Sequence, residues 1–456
     1  MSRGFLLLFI IGVYFPFAAQ LLAANTPLAQ QWVQRFHATA RGDNAPNDMV
    51  LDNKDNVIVT GYVLSTNGPS DADFVTLKYS SSGVPLWTNY YDGPGHDWDQ
   101  AMAVALDHSG KVFVTGISIG AASNYDYATI AYSKNGLPLW TNRYSSQTND
   151  DNEAEAIAVD HTGAVYVSGF SVNQSFQYVT IKYSNTGVPI WTNYLTAAQD
   201  TIIDPRVFLA FGKNGAVLLS GTAMGATTGL DYVTVAYSSA GIPLWTNYFN
   251  GPGNQEDHLA GVATDKRGNV FVTGVSYANN TGYDFATIAY SAIGKPLWTN
   301  RLDGPADGSD FATAIAVDAK GDVFVAGDTP LVPGANPSYG IVAYSNAGIP
   351  LWTNFYTAAT NDDQVADIAT QANRSVFITG SSLASGTGFD YATVEYSVTG
   401  VPISTNRYNG PVNDTDAPIA IAVAVNGSVF VTGFSTGTNG GTDIATIKYA
   451  PMRRGH

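Results

Sequence analysis

Oxygen-bearing side chains recur along this 456-residue chain at a nearly fixed interval: Asn44, Asp99, Asn152, Asp204, Asp257, Asp310, Asp363 and Asp416. Repeated in this way they have two chemical uses. In one, each side chain accepts backbone N–H bonds and caps a turn. In the other, the carboxylates Asp99, Asp204, Asp257, Asp310, Asp363 and Asp416 form a rim that holds Ca2+, which needs several oxygens at once, or a cationic partner. Regular spacing is what capping predicts, while the neighbouring acids Asp97, Asp150, Asp151, Asp307 and Asp362 keep the calcium reading open. A second series, Asp73, Asp126, Asp231, Asp284, Asp390 and Asp443, has Gln177 and Ser338 at two of its places and also reads as turn capping.

Other chemistry is sparse. The six histidines (37, 96, 108, 161, 258 and 456) neither cluster nor show metal-ligand spacing, and no nucleophile elbow, His-Glu-x-x-His pair or phosphate loop is present. Carboxylate pairs suited to a polysaccharide hydrolase or lyase abound, but nothing marks one above the rest. No catalytic residue and no cofactor is assigned. Aromatic side chains offer a different use. Trp98 stands outside the repeat in Gly-His-Asp-Trp-Asp99, and Tyr125, Phe176, Tyr283 and Phe389 sit just before predicted strands. Exposed aromatics of this kind anchor a protein or a glycan.

The elements that carry these residues are set by a repeat. Tyr132-Ser-Lys-Asn-Gly-Leu-Pro-Leu-Trp-Thr-Asn-Arg-Tyr144 returns from Tyr79, Tyr183, Tyr237, Tyr290, Tyr344 and Tyr396. Trp32, Trp87, Trp140, Trp191, Trp245, Trp298 and Trp352 mark a period of about 53 residues, and Ser404 takes the place in the last copy. These seven tryptophans read as structural, one per unit, and Ser404 predicts a looser junction.

Within one unit, Ala314-Ile-Ala-Val317, Val323-Phe-Val325, Tyr339-Gly-Ile-Val-Ala-Tyr344 and Pro350-Leu-Trp-Thr-Asn354 are separated by Gly, Asn, Asp and Ser turns. That pattern predicts four short antiparallel strands, A to D, with strand B ending at Gly327 and its equivalents. Four strands repeated radially make a β-propeller. Alanine-rich strand A suits crowding near an axis. Strand D carries Pro85, Pro138, Pro189, Pro243, Pro296, Pro350 and Pro402, and proline belongs on an edge. Strand B is present eight times, yet the chain stops after the last strand C, so Gln31-Trp-Val-Gln-Arg-Phe36 is predicted to close the ring as the eighth strand D. The prediction is an all-β, eight-bladed propeller, with seven blades as the alternative. Its variable B–C and D–A loops share one face, where recognition is expected.

Two resemblances follow from these residues. Gly-Asn-Val-Phe-Val-Thr-Gly274 and Asp-Tyr-Ala-Thr-Val-Glu-Tyr396 resemble the bacterial SBBP-type β-propeller repeat, which implies an exported propeller. Ser-x-x-Gly-x-Pro-Leu-Trp is similar to the tryptophan docking motif of eight-bladed quinoprotein dehydrogenases and their non-enzymatic relatives. That similarity implies tryptophans wedged between neighbouring blades. The chain lacks the cysteine pair and long capping loops of a quinoprotein.

Whole-chain properties narrow the partners. A net charge of −16 without a basic cluster disfavours nucleic acid and anionic membrane surfaces. Arg3, the apolar run from Phe5 to Tyr14 and the small residues up to Ala24 read as a signal peptide over 1–24, leaving 25–456 as one propeller domain and no membrane span. There is no cysteine, hence no disulfide framework. Together these features predict a secreted, monomeric, non-enzymatic binding or scaffold protein for an extracellular or periplasmic protein or glycan. An enzyme and a structural cell-surface component are the alternatives.

Overall fold

In the computed structural model the described residues are 28–452, apart from 39–41, 65–70, 121–123, 147–150, 174, 199–205, 226, 280, 359–361, 373 and 439. The proposed signal peptide and Asp204 lie outside them.

Eight four-stranded antiparallel sheets are arranged in a ring. Blade 2 is representative: strand A Asp99–Leu106, B Val112–Ile119, C Tyr125–Tyr132 and D Pro138–Tyr144. The A strands follow one another around the axis in a closed cycle, and that of blade 8 (Asp416–Val423) touches that of blade 1 (Asn44–Leu51). Closure is as the repeat predicted. Strand Leu28–Phe36 pairs antiparallel with the last strand, Thr442–Pro451, placing Phe36 opposite Ile444 and Trp32 opposite Lys448. The chain is therefore an eight-bladed β-propeller.

Burial follows strand order. Strands B and C carry nearly continuous Val, Ile, Ala, Phe and Tyr and are buried throughout, whereas strand D alternates between half-buried and exposed positions, as an edge strand does. Strand B does not stop at its glycine as predicted; it runs about three residues further. The reason is steric. Strand A bulges between Ala101 and Ala103, and a Cβ on Gly116 would lie 2.0 Å from the Gln100 carbonyl oxygen. Glycine is needed mid-strand so that the bulged backbone can approach it closely.

Each tryptophan packs against the C–D turn of the following blade. The Trp87 ring lies 2.8 Å from where a Cβ on Gly136 would stand, and its Nε1 donates to the Lys134 carbonyl at 3.2 Å. Gly136 has φ of 82°, a left-handed value that glycine adopts without penalty. The Asn two residues after the tryptophan adds a second tie, as Asn89 Nδ2 donates to the Gly136 carbonyl at 2.9 Å.

Candidate functional site

The A strands bring the first Asx series together at the loop-face mouth of the channel. Its seven described members are all at most 1% exposed. Five of them use a carboxylate oxygen locally. One oxygen of Asp99, Asp257, Asp310, Asp363 and Asp416 accepts the N–H of Gly93, Gly251, Gly304, Ala358 and Gly410 in the preceding loop, at 2.5–2.9 Å. The second oxygen of Asp310, Asp363 and Asp416 takes the hydroxyl of Thr329, Ser382 and Ser435 on strand B. Each of these five aspartates thus fastens a D–A loop to its own blade, which is capping chemistry, while Asn44 and Asn152 donate from Nδ2 to the Thr442 and Tyr125 carbonyls of the preceding blade at 2.9 and 3.3 Å.

The second Asx series has a partner that sequence reasoning missed. In four blades an arginine of strand D reaches its own blade's strand-C aspartate: Arg143 to Asp126 at 2.7 Å, Arg301 to Asp284 at 2.6 Å, Arg407 to Asp390 at 3.0 Å and Arg35 to Asp443 at 2.8 Å. Each guanidinium also bonds the strand-B serine or its carbonyl, as Arg407 does with Ser382 at 2.7 Å. A readable signal existed. Arg143, Arg301 and Arg407 each follow their aspartate by 17 residues.

The predicted aromatics separate. Phe176 is not a surface anchor: it is 2% exposed and packs in a core cluster with Phe170 and Tyr178, ring centroids 5.1 and 5.3 Å away. Tyr125, Tyr283 and Phe389 are half-buried. Tyr283 rests against Phe311 and Tyr277. Trp98 differs from the seven seam tryptophans. It sits half-buried on the D–A loop between blades 1 and 2, its ring 5.5 Å from Tyr62 and its Nε1 on the Gln100 side chain at 3.2 Å.

The same sector concentrates acid. One carboxylate oxygen each from Asp73, Asp92 and Asp99 lies within 4.8 Å of the others. Burial, then the charges of Asp92, Asp71 and Asp99, push the Asp73 carboxyl up to about 6. A second trio, Asp284, Asp303 and Asp310, is equally close in blades 5 and 6, and there Arg301 is bonded to Asp284. Around the face, Asp92, Asp97, Asp151, Glu256, Asp303, Asp307 and Asp414 are exposed on D–A loops. The loop face is therefore acidic.

The axial channel holds a cavity of about 370 Å3 lined by strand-A residues including Asp48, Met102, Glu155 and Phe208, together with Arg206 just before strand A of blade 4. Asp48 spans a blade junction, its oxygens accepting Met49 N–H at 2.7 Å and Val104 N–H at 2.8 Å. Asp367 does the same for Ile368 and Ile421, at 2.8 and 2.9 Å.

No protein-family model and no curated protein matches the chain. Solved structures resemble it in fold. The polysaccharide lyase Uly1 is 11% identical with a TM-score of 0.49, the match covering 93% of this chain and 100% of that one. The β-propeller domain of the Trilobed protease from Pyrococcus furiosus is 7% identical with a TM-score of 0.46, over 78% and 98%. A protein of unknown function from Dyadobacter fermentans is 11% identical with a TM-score of 0.44, over 93% and 99%. Among the described residues, no helix is long and apolar enough to cross a membrane.

Proposed function

We propose that this is an exported, non-enzymatic propeller of the SBBP-repeat type that binds a macromolecule, protein or glycan, through its loop face. The observation that carries the reading is Trp98. Seven tryptophans are spent on blade junctions, whereas this one lies on a loop against Tyr62, partly open to solvent and beside exposed carboxylates. An amphipathic ring with a polar rim is the usual make-up of a binding hot spot. The acidity of the face favours a partner that presents cationic groups or sugar hydroxyls.

The test is binding of the full chain to a panel of surface polysaccharides and exported proteins, with product formation followed in parallel. The expected result is binding without turnover, weakened about tenfold or more by Trp98→Ala, and unaffected by His108→Ala on the opposite, turn-bearing face. Turnover of a polysaccharide, or binding indifferent to Trp98, would overturn the reading. Fractionation with sequencing of the mature N-terminus checks export.

A further inference from the structure

Eight copies of one blade allow each junction to be compared with its sisters, and the junction between blades 1 and 2 departs from them. In blades 2, 5, 7 and 8 the strand-C aspartate is neutralised by the arginine that is the penultimate residue of strand D, Arg35 in blade 8. The register is constant: Arg143 lies opposite Ala128, Arg301 opposite Ala286, Arg407 opposite Ala392 and Arg35 opposite Ala445. In blades 3 and 6 the aspartate is absent, with Gln177 opposite strand-D residue Thr196 and Ser338 in its place. Blade 1 keeps the acid and loses the base. Tyr90 stands opposite Val75 in the arginine's register, and it is 52% exposed. Among the described residues, the Asp73 side chain has no hydrogen bond or ion pair, only the neighbouring carboxylates of Asp92 and Asp99.

Blade 4 also lacks the arginine, with Tyr248 in that place, but its Asp231 accepts the Thr228 hydroxyl at 2.8 Å, and its loop offers the neutral Asn250. Blade 1 instead offers Asp92 there, paired with the exposed His96 at 2.7 Å. The third member, Asp99, is 0% exposed. Its Oδ2 takes the Gly93 N–H, while its Oδ1 has no donor at hydrogen-bonding geometry. The Ser118 hydroxyl beside it accepts from Arg143, whose guanidinium is committed to Asp126 within blade 2. A fully buried carboxylate oxygen without a partner is costly unless something pairs with it.

We propose that Asp73, Asp92 and Asp99 form a Ca2+ site that replaces, at this one junction, the guanidinium of the sister blades. The chemistry of the donors selects the ion. All three are hard, anionic oxygens, and their mutual separations fall within the 4.8 Å that one ion about 2.4 Å from each can bridge. Mg2+ is smaller, demands near-octahedral geometry and gives up its water reluctantly, so it fits this open trio less well. The remaining positions are left to water and to whatever partner approaches, because Asp92 and His96 are exposed. The site lies on the same loop as Trp98, and the ion joins the end of blade 1 to the start of blade 2. It does not depend on the binding role proposed above.

The experiment is calorimetric titration of CaCl2, then MgCl2, into the EDTA-stripped full chain, with thermal melts in parallel. The expected result is one tight Ca2+ per chain, a raised Tm, and Mg2+ bound more weakly. Asp73→Asn should weaken Ca2+ about tenfold or more, because ligand charge sets affinity in such sites. Tyr90→Arg supplies the sister blades' cation and should abolish the Ca2+ response while leaving a cooperative melt. Asp303→Asn, which alters the trio already served by Arg301, should leave the tight site intact. The inference fails if the wild-type chain shows no saturable Ca2+ binding. It fails equally if folded Asp73→Asn and Tyr90→Arg bind as the wild type does, or if Asp303→Asn removes the tight site.

Discussion

Trp32, near the start of the described chain, lies against Gly83 in the turn of blade 1; a Cβ on that glycine would come within 2.9 Å of the indole ring. The same relation links Trp87 to Gly136, Trp140 to Gly187, Trp191 to Gly241, Trp245 to Gly294, Trp298 to Gly348 and Trp352 to Gly400. A tryptophan at the end of one blade therefore needs a C–D turn on the next. Blade 8 has no such turn, because its strand D is Leu28–Phe36, which comes from the other end of the described chain and is not joined to strand C by a hairpin. Ser404 stands where a tryptophan would have nothing to dock on. Its hydroxyl bonds Glu395 at 3.0 Å, and Leu28 joins Phe377 and Tyr449 in one buried cluster.

The Trp87–Gly136 contact is testable as a pair. Trp87→Ala should destabilise the protein by about 3 kcal/mol, the low end for a large aromatic since the ring is half-buried. Gly136→Ala should cost more than the roughly 1 kcal/mol of a positive-φ alanine, because its methyl meets the indole. In the double variant the clash is gone, so the two costs should sum to less than their separate values. A denaturant-based double-mutant cycle measures this; strict additivity would show that the ring and the turn do not touch.

Ser404→Trp should give no gain in Tm, although it restores the repeat's consensus residue. The ring would meet the Glu395 and Ser375 side chains, bonded to each other at 2.8 Å, and would find no glycine turn. A rise of several degrees in a thermal melt would mean that the missing tryptophan is a defect and not a consequence of closure.

Arg35 carries the closing strand's polar contacts. Its guanidinium reaches Asp443 at 2.8 Å, the Tyr408 hydroxyl at 2.8 Å and the Thr436 carbonyl at 3.1 Å, tying strand D of blade 8 to its own strand C and to blade 7. Arg35→Ala leaves Asp443 with His37 as its one remaining side-chain partner among the described residues, at 2.7 Å, and should cost about 2 kcal/mol, discounted from a fully buried pair because the arginine is part-exposed. Arg35→Lys should recover part of it, since the charge survives and the planar fork does not. Urea midpoints check both, and limited proteolysis of Arg35→Ala should cut first near the N-terminal strand.

Much of this architecture is legible without coordinates because the period is strict and each strand type has its own chemistry. The edge prolines, the axial alanines and the spare strand around Trp32 locate D, A and the closure. What escapes such reading depends on neighbours from other blades. The Tyr178 hydroxyl bonds the Thr222 carbonyl and that of Tyr232 bonds Val275 across junctions, at 2.8 and 3.0 Å, yet in one blade's sequence each reads as an ordinary core aromatic. Phe176 was misread because its ring stacks on Phe170 of strand B and meets Tyr178 edge-on, neighbours that its place ahead of the repeat's strand C does not disclose. The Asp73 trio was hidden for a similar reason: its members belong to two blades, and its meaning lies in an arginine that Tyr90 replaces.

The junction carboxylates give the fold an acid optimum. Asp48, Asp328 and Asp367 each accept an amide from the next blade's inner strand: Val104 at 2.8 Å, Val365 at 2.6 Å and Ile421 at 2.9 Å. Burial pushes their carboxyls up to about 6, 7 and 7, with Asp48 adding to the shift of Asp367, and Asp362 and Asp363 to that of Asp328. An unfolded aspartate titrates near 3.9. Between that value and 6–7 the folded state holds protons that the unfolded chain has released, so stability is fully present below about pH 4 and is lost as pH rises through the folded values. Asp52 and Asp160 act in the opposite sense, their hydrogen bonds holding them low against burial, so their contribution is lost below that same point. Tm should therefore peak near pH 4–5 and decline toward pH 7. Asp367→Asn, which cannot ionise, should flatten that decline, while Asp97→Asn, removing one exposed charge on the loop face, should leave its slope as it is. If both variants flatten the curve equally, repulsion among the chain's 37 acids is responsible and the junction carboxylates are not.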